Sequence, residues 1–279
     1  AAEGYARRSG KAGVVLATSG PGATNLVTGL ADAYMDSVPL VAITGNVPLA
    51  QLGHDSFQEV DIFDVSMPVT KYGIIVKSAS EMAHAIRRAF ALAESGRKGP
   101  VLVDVPSDIF DCSAEYEPAV PEHTLPSAPD EEQLRIAAEM IAASERPVIY
   151  AGGGAAQAGA EQQILALARL LKAPVTVSYM GIGCCPPDYE RYLGVLSDIN
   201  IRAAEAVSEC DLFITVGARV NSRYGAFNGL RKRRIPLLQI AADRAEIDKN
   251  VHASAAVIGA AAAALAALLP LLGAKEEAV

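Results

Sequence analysis

The chain has 279 residues, 51% of them hydrophobic and 20% charged, which supplies a sizeable core and excludes a disordered or fibrous protein. Its length suggests about two domains. A formal net charge of -8 and a sequence pI near 5.1 argue against nucleic acid as a partner, because neutralising phosphates needs a basic surface. The sequence begins in what reads as a helix already under way, Ala1-Ala-Glu-Gly-Tyr-Ala-Arg-Arg8, with no methionine, cap or basic leader ahead of it. The expectation is a chain cut at its start and lacking a secretory signal. Short apolar runs then alternate with helical periodicity. Val14 to Ala17, Leu40 to Thr44, Gly73 to Val76 and Val101 to Val105 read as strands, with helices at Asn25 to Met35 and Ser80 to Ser95. Continuous apolar strands imply a parallel sheet covered on both faces, hence βαβ architecture.

Residues 113 to 129 carry Pro118, Pro121, Pro126 and Pro129 among acidic and small residues, with no apolar period, and read as a linker between domains. A second α/β unit follows. Its expected strands are Pro147 to Ala151, Pro174 to Ser178, Leu212 to Val216, Pro236 to Ile240 and Ala256 to Ile258. Helices are expected near 130 to 143, 158 to 171, 201 to 208 and 260 to 272. The predicted fold is therefore α/β: two three-layer domains with parallel sheets, residues 1–112 and 130–273, the second Rossmann-like. The most apolar stretch, Val257 to Leu272, is alanine-rich, contains Pro270 and reads as a packed helix rather than a membrane span. Cys112, Cys184, Cys185 and Cys210 fit neither metal-ligand spacing nor a disulfide framework, and the four histidines are scattered. No metal site is expected within the chain, and a reducing cytoplasm is the expected compartment.

In open α/β sheets ligands lie outside the carboxyl ends of the strands, which directs attention to the turns there. Thr18-Ser-Gly-Pro-Gly-Ala-Thr-Asn25 follows the first strand. Gly20 and Gly22 admit a close approach and Pro21 stiffens the turn, so it is either tight packing or a ligand site. After the second strand, Gly45-Asn-Val-Pro48 leads into Gly53-His-Asp-Ser-Phe-Gln-Glu59, where His54, Asp55 and Glu59 read either as acid-base machinery or as a solvated loop. In the second unit Gly152-Gly-Gly154 could cradle a pyrophosphate at a helix N-terminus, although Gln157 stands where the dinucleotide fingerprint wants a third glycine. Simple close packing is the competing account. Arg219 and Arg223, after a further strand, could clamp phosphate groups. No Gly-x-Ser-x-Gly elbow is present, which sets a serine hydrolase aside.

Five segments together resemble the large catalytic subunit of acetolactate synthase: Ala2-Glu-Gly-Tyr-Ala-Arg7, Ala17 to Asn25, Asp36 to Gly45, Asp55 to Glu59 and Ser95 to Pro106. The second unit resembles the central FAD-binding domain of that family more loosely. The resemblance implies an enzyme of branched-chain amino-acid synthesis that condenses two pyruvates, or pyruvate with 2-ketobutyrate. Its cofactors would be thiamine diphosphate, magnesium and FAD. By motif, Thr18, Pro21, Gly22 and Asn25 would line the thiamine side of a pyrimidine-binding domain, with Phe57 and Gln58 near the substrate pocket. FAD would meet Arg97, Gly152, Gly153, Gly154, Ser178, Tyr179, Met180, Gly181, Gly217, Ala218, Arg219 and Arg223.

The resemblance also implies that the glutamate promoting ylide formation lies upstream of Ala1, that the diphosphate and magnesium domain is outside the chain, and that the isolated chain is inactive. A homodimer or homotetramer and a small regulatory subunit are implied as partners, with a 2-oxo acid as substrate and neither nucleic acid nor membrane. Several positions depart from the family pattern. Val195-Leu-Ser-Asp198 replaces a Met-His-Gly, Arg219-Val-Asn-Ser-Arg223 an Arg-Phe-Asp-Asp-Arg, Ala241-Ala-Asp243 an Asp-Ile-Asp, and Gly259-Ala260 a Gly-Asp. These changes favour, as alternatives, another thiamine-dependent carboligase or decarboxylase, such as a glyoxylate carboligase, or a non-catalytic nucleotide-binding or assembly module.

Overall fold

The computed structural model describes residues 1–116, 118–119, 128–220, 227, 230 and 232–273. Contacts divide the chain into two units, Ala1–Leu125 and Pro126–Val279. The first contains helix α1 (Ala2–Ser9) and strands β1 (Gly13–Ala17), β2 (Leu40–Asn46), β3 (Tyr72–Ile75) and β4 (Pro100–Pro106). All pair in parallel, in the order β1-β2-β4-β3. Alternation along the two central strands explains the layers. Val41, Val101, Val103 and Val105 face one way, onto Ala85, Ala89 and Ala93 of α5 (Ala79–Glu94). That i, i+4 row of alanines lets the helix lie close to the sheet. Ala42 and Leu102 face the other way, onto Ala23 of α2 (Pro21–Thr24), Leu30 of α3 (Val27–Asp36) and Ile62 of α4 (Ile62–Ser66).

The helix expected at 25–35 is thus preceded by a separate turn, because Gly20 at positive φ and Pro21 at the first helical position start a short helix of their own. Helix α4 is too short to show a period in the sequence. Its start is fixed by the Asp61 side chain, which accepts the Asp64 N–H at 3.0 Å. A further turn, α6 (Ser107–Phe110), leads out of β4.

The second unit is a six-stranded parallel sheet of β5 (Pro147–Ala151), β6 (Val175–Val177), β7 (Tyr192–Val195), β8 (Leu212–Val216), β9 (Leu237–Ala241) and β10 (Ala255–Ile258), ordered β10-β9-β8-β5-β6-β7. Counted within the unit, this is the 3-2-1-4-5-6 order of the doubly wound Rossmann fold. Strand β7 went unpredicted. It is a half-buried edge strand with Gly194 at φ 77°, and its pairing with β6 shifts register at Val175/Thr176, so no clean period marks it.

One face of the sheet packs Ile149, Val175, Ile214 and Ile240 on α7 (Glu131–Ala142), α9 (Glu161–Leu171) and the helix Ala261–Leu268. The other packs Val148, Tyr150 and Phe213 on α10 (Ile201–Glu209) and Phe227. Each strand of the expected set is present, with ends within one residue or two. The helix expected over 158–171 starts at Glu161 as α9, because Gly159, at φ 63°, separates it from an unexpected short helix, α8 (Gly153–Gln157). Cys184 and Cys185 are core residues whose thiols burial pushes up to about 12 and about 11; all four cysteines are free. Among the described residues no helix is long and apolar enough to cross a membrane.

Candidate functional site

At the carboxyl end of β1, Thr18 to Asn25 turns over the backbone of β2. A Cβ on Gly45 would lie 3.7 Å from the Ser19 nitrogen, an ordinary van der Waals distance, so the turn faces the strand with room for one methyl group between them. Gly20 has φ 57° and ψ -121°, a conformation that is costly for a residue with a side chain. A Cβ there would also stand 2.8 Å from the Gln58 carbonyl oxygen and 2.9 Å from its Cβ. Gly20 is therefore glycine because the 53–59 loop is laid against it. Thr18, Pro21 and Asn25 are exposed beside it, Gly22 is half-buried, and Gln58 and Phe57 project from the loop, Phe57 being 89% exposed. The structure brings these six sequence-predicted residues to one end of the first unit.

The loop itself is held by Glu59. Its carboxylate accepts the Gly53 N–H and, at 2.8 Å, the Ser56 N–H, and these backbone bonds hold it below the usual glutamate range. Inside that bracket Asp55 and Gln58 sit at φ 55° and 58°, left-handed conformations that the surrounding bonds impose. Glu59 is spent on its own loop, and His54 Nδ1 lies 3.0 Å from the Leu52 carbonyl oxygen, which ties the ring to the same loop.

Sequence reasoning missed what lies beneath. Asp104 on β4 is buried, and its carboxylate accepts 2.6 Å bonds from Thr44 Oγ1 and Asn46 Nδ2 on β2. Burial pushes the acid above the ordinary aspartate range, opposed by those two bonds, with Asp61 adding to the rise. An acidic residue inside the run Val101 to Val105 was the available signal.

Arg97, expected from the resemblance to meet FAD, bonds within the first unit. Its Nε donates to Ser37 Oγ at 2.9 Å and Nη2 to the Tyr34 carbonyl at 2.8 Å, which closes the carboxyl end of α3, and its guanidinium stacks over the Tyr34 ring. Glu3, Asp32 and Asp36 also cluster in this unit, where Arg7 ion-pairs with Glu3 at 2.6 Å and Asp36 at 2.7 Å.

In the second unit the glycine turns after β5 and β8 meet at the point where the strand order reverses. The Gly152 N–H donates to Val216 and the Gly154 N–H to Gly217, both at 2.9 Å. A Cβ on Gly152 or Gly217 would fall inside backbone of the facing turn, one on Gly153 would meet Met180 at 2.9 Å, and one on Gly181 would strike the Ala151 carbonyl. Ala218 is buried in the same contact. These glycines interlock the ends of three strands. Ser178 accepts the Gly181 N–H at 3.1 Å, leaving Tyr179 and Met180 exposed. Arg219 lies 3.5 Å from Glu246, a nearly buried carboxylate that also pairs with Lys249 at 2.9 Å. Arg223 lies outside the described residues.

Both units carry thiamine-enzyme signatures. Residues 1–65 match the family described as "Thiamine pyrophosphate enzyme, N-terminal TPP binding domain", and residues 134–268 match "Thiamine pyrophosphate enzyme, central domain". The chain belongs to the thiamine pyrophosphate enzymes. Within that family it is similar to acetolactate synthases. It is 43% identical to the acetolactate synthase isozyme 2 large subunit of Escherichia coli over 98% of this chain and 49% of that protein. It is 40% identical to the acetolactate synthase of Arthrospira platensis over 93% of this chain and 46% of that one. A crystal structure described as that of "a putative thiamin diphosphate-dependent enzyme isolated from Mycobacterium smegmatis" superposes with a TM-score of 0.86 at 28% identity, covering 100% of this chain and 54% of that one. The chain thus spans about half the length of the curated relatives it matches.

Proposed function

We propose that the chain forms the pyrimidine-binding and central portions of an acetolactate synthase large subunit, which joins two pyruvates, or pyruvate and 2-ketobutyrate, with loss of carbon dioxide. The observation that carries this reading is the approach of the Phe57–Gln58 loop to the Thr18–Asn25 turn across Gly20. Bound thiamine diphosphate supplies a nucleophilic thiazolium carbon. The residues here suit its neutral aminopyrimidine end, since neither 18–25 nor 53–59 contains a lysine or arginine that would hold a diphosphate. Thr18 and Asn25 offer hydrogen-bonding groups and Pro21 an apolar wall, while the Thr18 methyl fills the space over Gly22, 2.6 Å from where a Cβ would stand. Gln58 can donate to a 2-oxo acid while the Phe57 ring shields its alkyl end from water. The diphosphate and magnesium fall to residues other than these.

FAD fits the residues present poorly. Two of the three glycine amides are spent within the protein, Arg219 is engaged by Glu246, and Ala241 and Ala260 offer no side-chain acceptor for a ribose or adenine. Asp243, the acid retained nearby, accepts the Ala245 N–H at 2.9 Å and so caps its own turn. Assembly as a homodimer or homotetramer with a small regulatory subunit, in the cytoplasm, completes the proposal; it is supported by relatives named large subunits and by four free cysteines.

The departures at Ala241, Ala260 and Val195 to Asp198 favour a second reading, a related carboligase or decarboxylase acting on another 2-oxo acid. The complete subunit, given pyruvate, thiamine diphosphate and magnesium, should form acetolactate, and the 279-residue chain alone should form none. Turnover of glyoxylate without acetolactate would select the second reading.

A further inference from the structure

The buried carboxylate of Asp104 has no cation beside it among the contacts described: its partners are a hydroxyl and an amide from β2. Burying an acid in that way costs stability unless its bonds accomplish something. The register pairs Thr44 with Asp104, so one carboxylate oxygen bonds straight across the ladder while the other reaches Asn46 two residues on, on the same sheet face. Asn46 then turns its own oxygen back to accept the Val47 N–H at 2.9 Å. Val47 is where the chain leaves the sheet for the loop that carries Phe57 and Gln58. A second acid from the same stretch, Asp108, accepts the Leu49 N–H at 3.2 Å. The exit from β2 is therefore gripped at Thr44, Asn46 and Leu49 by two carboxylates that follow one another along β4 and its exit. The gripped segment includes Gly45, which faces the Thr18–Ser19 turn.

We infer that Asp104 is a positioning residue for the proposed thiamine site, fixing through Asn46 and Val47 the direction in which the 47–59 loop leaves the sheet and so the seat of Gln58 on Gly20. It touches neither cofactor nor substrate. The inference rests on the functional reading above for its consequence, but the grip on the loop is a property of this chain alone.

Two measurements separate the levels. Amide hydrogen exchange on the 279-residue chain reads the loop, and thiamine diphosphate half-saturation of the complete subunit, with kcat measured at saturating cofactor, reads the site. Asp104→Ala should speed exchange across 47–59 by about tenfold, with little change in the second unit. It should raise the half-saturating cofactor concentration by about tenfold while kcat at saturation stays within about twofold of the parent. If that variant fails to fold, the exchanged pair decides. Asn46→Asp alone sets two buried carboxylates face to face and should loosen the loop, whereas Asn46→Asp with Asp104→Asn re-forms the bond in the opposite sense and should recover most of the lost protection. Unchanged exchange in Asp104→Ala, uniform acceleration over the whole chain, or no recovery in the exchanged pair would each overturn the inference. Faster loop exchange combined with a parent subunit that never saturates with thiamine diphosphate would keep the positioning role and sink the functional reading instead.

Discussion

The two units open their sheets with similar sequence devices, an apolar strand followed by a glycine-rich turn into a short helix, yet the glycines serve different ends. After β1, Gly20 makes room for a loop whose Phe57 and Gln58 stand out into solvent beside Thr18, Pro21 and Asn25. After β5, Gly152, Gly153 and Gly154 make room for the turns after β6 and β8, and the protein fills the space itself. A glycine-rich turn reports that something approaches the backbone closely; whether the visitor is a ligand or the same chain is settled by what lies opposite. The contrast also explains why the first unit carries strained residues and a buried acid near its turn, whereas the crossing point of the second is built almost wholly from backbone contacts.

The sharpest way to break this comparison is Gly217→Ala. The new methyl group would fall inside the backbone of Gly154 and Ala155 while Gly217 holds φ 54°, and neither wall can move. A loss of about 3 kcal/mol or more is expected, read by urea denaturation of the second unit. A fully stable Gly217→Ala chain would show that the interlock is loose enough to admit a ligand. Gly20→Ala should cost less, about 2 kcal/mol, because Gln58 and its loop can retreat, but it should shift the exposure of Phe57 and weaken thiamine binding in the complete subunit.

A smaller effect comes from Asp104. Its folded pKa is raised above the unfolded value, so it contributes stability at low pH that is lost as pH rises from the ordinary aspartate range through the raised value. Asp104→Asn should therefore flatten that slope, although it leaves an amide donor facing the Asn46 amide donor; thermal melts at several pH values would show it, and a steeper slope would contradict it. Glu59 has the opposite sign. Its folded pKa is lowered, so its bracket is intact above the ordinary glutamate range and fails as pH falls through the lowered value. Exchange at Gly53 and Ser56 should quicken there, Glu59→Ala should abolish the pH dependence, and the global stability should scarcely change.

Much of the fold was legible because its signals are local. Runs such as Val101 to Val105 and Leu212 to Val216 are apolar apart from Asp104 and Thr215, as suits strands buried on both faces, and Asp130 marks the start of α7 by capping Gln133. Strand β7 was hidden because an edge strand with Gly194 in its middle needs neither alternation nor continuity. The candidate site divided in the same way. The Thr18–Asn25 turn and the Phe57–Gln58 pair stood out by residue type, and their meeting across Gly20 needed coordinates. Arg219 reads as available for phosphate groups because a sequence does not show that the Glu246 carboxylate lies within reach of it, and the bonds of Arg97 to the carboxyl end of α3 are equally invisible there.

By itself the sequence determined the α/β class, the division into two parallel-sheet units and the thiamine-enzyme motifs, since hydrophobic period and motif order are properties of neighbours along the chain. Only the tertiary structure decided what each glycine faces, which cations are already engaged, and that Asp104 grips the exit of β2. These depend on residues such as Thr44 and Asp104, 60 positions apart, whose bond exists because two parallel strands set them side by side in register.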